Sequence, residues 1–215
     1  MPETLPRSDL TREKVLDAAE QLFAERGFNA VSVREITGAA EVHLSAVNYY
    51  FGSKKNLYLQ VFKDRVLPRL MPFSRVLEKL EQEPEIDLPS LVRTLALAFI
   101  RGGHGRRSEM AGFAPLLFRE MAHPGEAFDL LVDGFIRPTH EKIAALLGRG
   151  MEREVEQERL VFYSMTLMTL LRHLAHSKAV IRRIFERDFD EKLIERLIGY
   201  LTDFMMHGLA LEEKP

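Results

Sequence analysis

The 215-residue chain contains no cysteine. Disulfides, thiolate nucleophiles and cysteine-ligated zinc are therefore excluded. A long apolar run is also missing. The longest, Leu160–Leu171, is about 12 residues and is interrupted by Ser164, Thr166 and Thr169, whereas a membrane-spanning helix needs about 20. The opening MPETLPRSDL has no apolar stretch of the signal-peptide kind. The expectation is a cytoplasmic protein with no membrane contact. Nor is there an excess of one charge. Net charge is −2, and residues 1–70 hold ten Lys/Arg against nine Asp/Glu. Charge alone therefore gives no pointer to nucleic acid. Gly-rich phosphate loops and serine elbows are absent.

What is present is helical. The composition, 46% hydrophobic and 29% charged, suits a folded domain or two. No segment alternates with a period of two, and no internal repeat is visible. The informative stretch is residues 32–55, SVREITGAAEVHLSAVNYYFGSKK. Ser32 followed by Glu35 is a capping-box pattern, and Val33, Ile36 and Ala40 give a short helix one small apolar face. A break follows at Glu41. A second short helix runs from about Leu44 to Tyr50. Val42 and Val47 point back toward the first helix, while Ser45, Asn48 and Tyr49 point away. Two short helices with a tight turn, the second carrying exposed polar and aromatic side chains, form a helix-turn-helix reader of the DNA major groove.

The string AAEVHLSAVNYYFGSKKNLY resembles the DNA-binding signature of TetR-family transcriptional regulators, over roughly residues 10–65. One position departs from it: the turn residue usually held by Gly is Glu41. If that turn needs φ > 0, the substitution costs about 1 kcal/mol. A second resemblance lies in FREMAHPGEAFDLLVDGFIRPTHEKIAALL, which is similar to the ligand-binding half of the CecR-like branch of that family.

The rest of the chain fits an all-α fold of about nine helices: a three-helix head on a larger helical domain. Residues 1–67 are expected to hold the DNA-binding domain with a connecting fourth helix, and 68–215 the ligand-binding and dimerisation domain. The first helix carries a stripe of Val15, Ala18, Ala19, Leu22 and Phe23 and ends at Gly27. Ser53 caps the fourth helix, expected from Lys54 to Leu67, with Pro68 and Pro72 beyond it and EQEPEIDLPS as a linker. Further helices are expected over Ser108–His123, Glu126–Leu147, Glu152–Ala175 and Asp190–Leu211, with Arg101–Arg107 a basic loop.

The resemblance implies DNA contacts from Ser32, Arg34, His43, Leu44, Ser45, Asn48, Tyr49, Tyr50 and Lys54. Asn48 suits an adenine edge, Leu44 a thymine methyl, and the tyrosine hydroxyls and Lys54 suit phosphates. Each has a plainer alternative. Tyr50, like Phe51, fits a core. Arg34 can pair with a carboxylate, and Lys54 and Lys55 can be solvated.

By the same resemblance the protein is a ligand-responsive repressor and not an enzyme. It reads a palindromic operator as a homodimer and is released by a small hydrophobic effector. The last two long helices supply the dimer stripes through Val161, Met165, Met168, Leu193, Leu197, Tyr200, Leu201 and Phe204. Phe99, Phe113, Phe118, Met121 and Met165 suggest an adaptable apolar cavity. His104, Arg119 and His173 are its candidate polar handles. No cofactor is expected. Glu120-x-x-His123 has the spacing of a bundle metal site but no second copy, and His173 with His176 is too small a ligand set. Two rivals remain at this level: a helical carrier whose head no longer binds DNA, and a bundle metalloenzyme.

Overall fold

The computed structural model describes residues 7–102 and 107–210. Among them there is no strand. The helices are α1 (Arg7–Arg26), α2 (Val33–Ala39), α3 (Ser45–Phe51), α4 (Lys54–Val61), α5 (Leu67–Glu81), α6 (Leu88–Gly102), α7 (Arg107–Ala122), α8 (Phe128–Leu131), α9 (Arg137–Gly150), α10 (Gln157–His176), α11 (Lys178–Phe185) and α12 (Glu191–Ala210). Two π-helical turns, Phe62–Val66 and Val132–Ile136, join α4 to α5 and α8 to α9. Counted as continuous rods, these make ten helices, and the all-α expectation holds.

The π turns have a common cause. Proline lacks an amide hydrogen, and its ring strikes the carbonyl four residues back in a regular α turn. Pro68 and Pro138 each stand two residues beyond a π turn. The carbonyls at risk, those of Asp64 and Gly134, lie inside the widened segments. At the first, the Leu67 amide bonds the Phe62 carbonyl, five residues back. The helix therefore passes Pro68 instead of stopping at Leu67, and the expected end of the fourth helix is corrected to Glu81. The expected linker shrinks to residues 82–87, after which Asp87 caps α6 by accepting from the Ser90 amide at 2.9 Å. The helix expected from Glu152 begins at Gln157.

By packing, the chain forms two compact units. The first runs to Met71 and includes Arg107–Ile136. The second takes Pro72 through α6, with Arg137 onward. The segment 107–136 thus packs with the N-terminal helices.

The first unit's core is built from the expected α1 stripe. Val15, Leu16, Ala19 and Phe23 meet Ile36, Val47, Phe51, Leu57, Tyr58, Phe62, Phe113 and Leu116, all buried. Tyr58 stands edge-on to Phe23, ring centroids 4.9 Å apart. Burying such side chains contributes about 1.5–3 kcal/mol each. Charged residues tie α1 to the rod above it. Arg12 bonds Asp64 at 2.6 Å, Arg65 faces Glu13, Asp17 and Glu20, and Arg69 pairs with Glu20.

The second unit's core gathers Leu77, Leu91, Leu95, Ile100, Ile143, Leu147, Leu167, Leu171, Ile194 and Ile198. It encloses one polar pair, His140 Nδ1 with the Ser164 hydroxyl at 2.8 Å. Burial lowers the His140 pKa, and Arg172 adds to that.

Candidate nucleic-acid interface

The site begins at a cap. Ser32 takes an extended conformation, φ −96°, ψ 157°, and its hydroxyl accepts from the Glu35 amide. Glu35 returns the bond, accepting from the Ser32 amide at 2.8 Å and its hydroxyl at 2.7 Å. Arg26 adds an ion pair at 2.7 Å. These bonds, the Ser32 hydroxyl first, then its amide and Arg26, hold the Glu35 carboxyl down at about 2. Two of the four free donors at the start of α2, the amides of Ser32 and Glu35, are thus met locally.

The turn between α2 and α3 is where the sequence departs from the family pattern. Glu41 has φ 55°, the left-handed conformation that the position demands. Around it the Glu41 amide bonds the Gly38 carbonyl at 3.2 Å and the Val42 amide bonds the Thr37 carbonyl at 3.0 Å. This is a Schellman closure with glutamate where glycine is usual. His43 then stands in for an N-cap, its Nδ1 accepting from the Ser45 amide at 3.3 Å.

α3 splits cleanly. Ala46, Val47 and Phe51 are buried, while Leu44, Ser45, Asn48 and Tyr49 are exposed, Tyr49 to 81% and Leu44 to 45%. Ser32, Arg34 and His43 are exposed beside them. Tyr50 is half-buried, and its ring stands edge-on to Tyr49 at 4.8 Å. Gly52, with φ 75°, ends α3 in a conformation that side chains resist. The Ser53 hydroxyl caps α4 as expected, accepting from the Asn56 amide at 3.0 Å.

The cations divide. Arg34 makes no ion pair among the described residues, because Glu35 turns to Arg26. Lys54 folds back instead. Its ammonium donates to the carbonyls of Phe28 and Val31, both at 2.8 Å, and lies 4.3 Å from the Phe28 ring centroid. Two of its three donors are thereby used. Lys55 pairs with Glu126 at 2.5 Å. The outward surface thus offers an amide, two hydroxyls, a leucine and one uncommitted guanidinium. That set can bond base edges and touch phosphates.

Sequence reasoning missed three anchors of this head. One is the Lys54 latch. Another is Tyr58, whose hydroxyl donates to Glu120 Oε1 at 2.7 Å, while Glu120 Oε2 accepts from the Gly125 amide at 3.0 Å. Desolvation, then Glu120, pushes the Tyr58 pKa up. Gly27 sets a third. A Cβ there would lie 2.8 Å from the Arg119 guanidinium, so Arg119 packs flat on the end of α1.

The described residues expected to line an effector pocket fall partly in the first unit and partly in the second. Phe113 is fully buried in the first unit's core under the Arg69 guanidinium, and Phe118, Arg119 and Met121 also belong to that unit. Phe99 packs on Phe73 in the second unit, ring centroids 5.1 Å apart. Met165 and His173 lie exposed on α10. His104 is outside the described residues.

Comparison with known proteins agrees with this geometry. Residues 15–61 match the model of bacterial regulatory proteins of the tetR family. Residues 84–209 match the C-terminal domain of the HTH-type transcriptional dual regulator CecR. The CecR protein of Shigella flexneri is 25% identical over 97% of both chains. The HTH-type transcriptional repressor NicS of Pseudomonas putida is 30% identical over 55% of this chain and 52% of its own. A TetR-like transcriptional regulator from Rhodococcus sp. RHA1 shares the fold, with a TM-score of 0.63 at 20% identity, covering 97% of this chain and all of that one. Among the described residues no helix is long and apolar enough to cross a membrane. The chain belongs to the TetR family of DNA-binding transcriptional regulators, with a C-terminal half of CecR type, and is not an enzyme.

Proposed function

We propose that two copies of this chain read a palindromic operator and repress transcription until a small hydrophobic effector releases them. The observation that carries the DNA reading is the exposed face of Leu44, Ser45, Asn48 and Tyr49 on α3, flanked by Ser32 and Arg34. None of these side chains is needed to fill the core. Asn48 serves an adenine edge, Leu44 a thymine methyl, and Tyr49 with Arg34 serves phosphates, while the Ser32 hydroxyl, committed to Glu35, holds the start of α2. His43, Tyr50 and Lys54 shape the turn and the helix start, with one Lys54 donor left for a phosphate.

Two-fold reading requires a partner. Support comes from the outer faces of α10 and α12. Phe162 and Phe204 are 65% and 66% exposed, and Met165 and Tyr200 are exposed beside them. Gly199 sits within α12, where glycine costs about 1 kcal/mol relative to alanine. Yet, its chain neighbours and the backbone of its own helix aside, nothing among the described residues lies within 4 Å of where a Cβ would be. A partner helix crossing closely at this point accounts for both facts. Residues 68–215 are the ligand-binding and dimerisation part in this reading, and residues 1–67 the DNA-binding part. The apolar α6, with Phe99 on Phe73, favours a hydrophobic effector, which acts through its different affinity for the DNA-competent and released states.

A gel-shift with the promoter DNA next to the chain's own gene tests the reading. Retarded complexes of two-subunit mass are expected, lost on adding effector. Absence of any shift over genomic promoter fragments would overturn it.

A further inference from the structure

Residues 28–61, which carry the reading helices, contain two carboxylates, Glu35 and Glu41. Glu35 is committed to Ser32 and Arg26. The Glu41 side chain is exposed, and its carboxylate has no hydrogen bond or ion pair among the described residues. Its backbone is left-handed, φ 55°. A glycine would hold the same turn with about 1 kcal/mol less strain. The fold thus makes no use of the carboxylate and bears a cost for the residue.

The surroundings give the charge a role. His43, Leu44 and Ser45, the exposed start of the reading helix, follow within four residues. The cations that would draw phosphate here are few. Lys54 spends donors on its own carbonyls and Lys55 pairs with Glu126. Arg34 is left as the uncommitted Lys/Arg of the region. An unpaired negative charge within a Debye length of DNA, about 10 Å at 0.1 M salt, opposes phosphate approach.

We propose that Glu41 is an affinity-limiting residue of the DNA interface, a fixed negative charge that repels the phosphate backbone at the entrance of the reading helix. It thins the sequence-independent part of binding and leaves the contacts of Asn48 and its neighbours to decide occupancy. This inference rests on the DNA-reading face proposed above.

The test uses the full chain, a duplex selected by the wild-type protein from a randomised library, and a random duplex of equal length. Glu41→Gln removes the charge and keeps the side-chain length. Glu41→Gly removes the charge and relieves the turn. Both variants are expected to bind both duplexes about threefold to tenfold more tightly, with a steeper fall of log K against log salt. Tighter binding by Glu41→Gly alone would assign the effect to turn geometry and overturn the proposal. Unchanged affinity in both would overturn it too. Weaker binding of the selected duplex by Glu41→Gln would mean that the carboxylate accepts a bond from a base, and would likewise overturn it. If the wild-type chain selects no duplex at all, the DNA-reading face itself falls, an outcome distinct from the other three.

Discussion

The Tyr58 hydroxyl and the Glu120 carboxylate, 62 residues apart in sequence, meet at 2.7 Å inside the first unit. Both are buried, Glu120 to within 3% of full burial. Its second oxygen is held by the Gly125 amide, so the bond fixes the turn after α7 to the face of α4. Tyr58→Phe removes the donor and strands a buried acceptor. Such a loss costs about 1–3 kcal/mol. The expected result is a lower urea midpoint at unchanged slope. A loss below about 0.5 kcal/mol, the range of an ordinary surface change, would mean that water replaces the hydroxyl.

Asn48→Ala and Tyr49→Ala should separate binding from folding. Both side chains are exposed on α3, so stability should stay within about 0.5 kcal/mol. Losing a bidentate base contact at Asn48 should weaken operator binding by about 1–3 kcal/mol and relax preference at one base pair. Tyr49→Ala should weaken binding to all duplexes alike. Titration of labelled duplex reads both. Wild-type affinity in the two variants together would remove α3 as the reading helix.

Glu35 predicts an acid-sensitive cap. Its folded pKa, about 2, lies below the ordinary 4.5. A depressed carboxyl contributes stability that is fully present above the unfolded value and lost as pH falls through the folded one. The difference in thermal midpoint between wild type and Glu35→Gln should therefore be largest above pH 4.5 and vanish towards pH 2. A difference constant across that window would show that the charge contributes nothing to the cap.

Phe204→Asp and Tyr200→Asp place charge on the exposed face of α12. Sedimentation should shift from dimer to monomer, and operator affinity should drop with it, while the helical signal is retained. Gly199→Leu is expected to act in the same direction by blocking close approach. Dimers persisting in all three variants would move the interface elsewhere.

Much of the head was legible because its signals are local. Ser32 and Glu35 lie three residues apart, and the cap they imply is present. Glu41 stood where a left-handed residue was needed, and adopts that conformation. The division of α3 into buried Ala46, Val47 and Phe51 and exposed Asn48 and Tyr49 follows from helical period alone. What stayed hidden is non-local. Lys54 looked like a free cation, since nothing in the sequence brings it to the carbonyls of Phe28 and Val31. Glu120 resembled half of a metal motif, because its bond to Tyr58 spans 62 positions. Pro68 read as a helix end, because a π turn that accommodates proline leaves no composition signal. Side-chain type, the signal behind Phe99, Phe113 and Met165, does not report which unit each one joins.

The comb of Arg65 against Glu13, Asp17 and Glu20 bears on how ionic strength acts on this protein. Partly exposed ion pairs are screened by added electrolyte, each contributing at most about 1 kcal/mol. The same electrolyte competes with phosphate contacts. Sodium chloride would then slacken the seat of α1 while it loosens the grip on the duplex. An apparent count of displaced counterions would exceed the number of phosphates touched, and substituting Arg65 by methionine should bring the two numbers together.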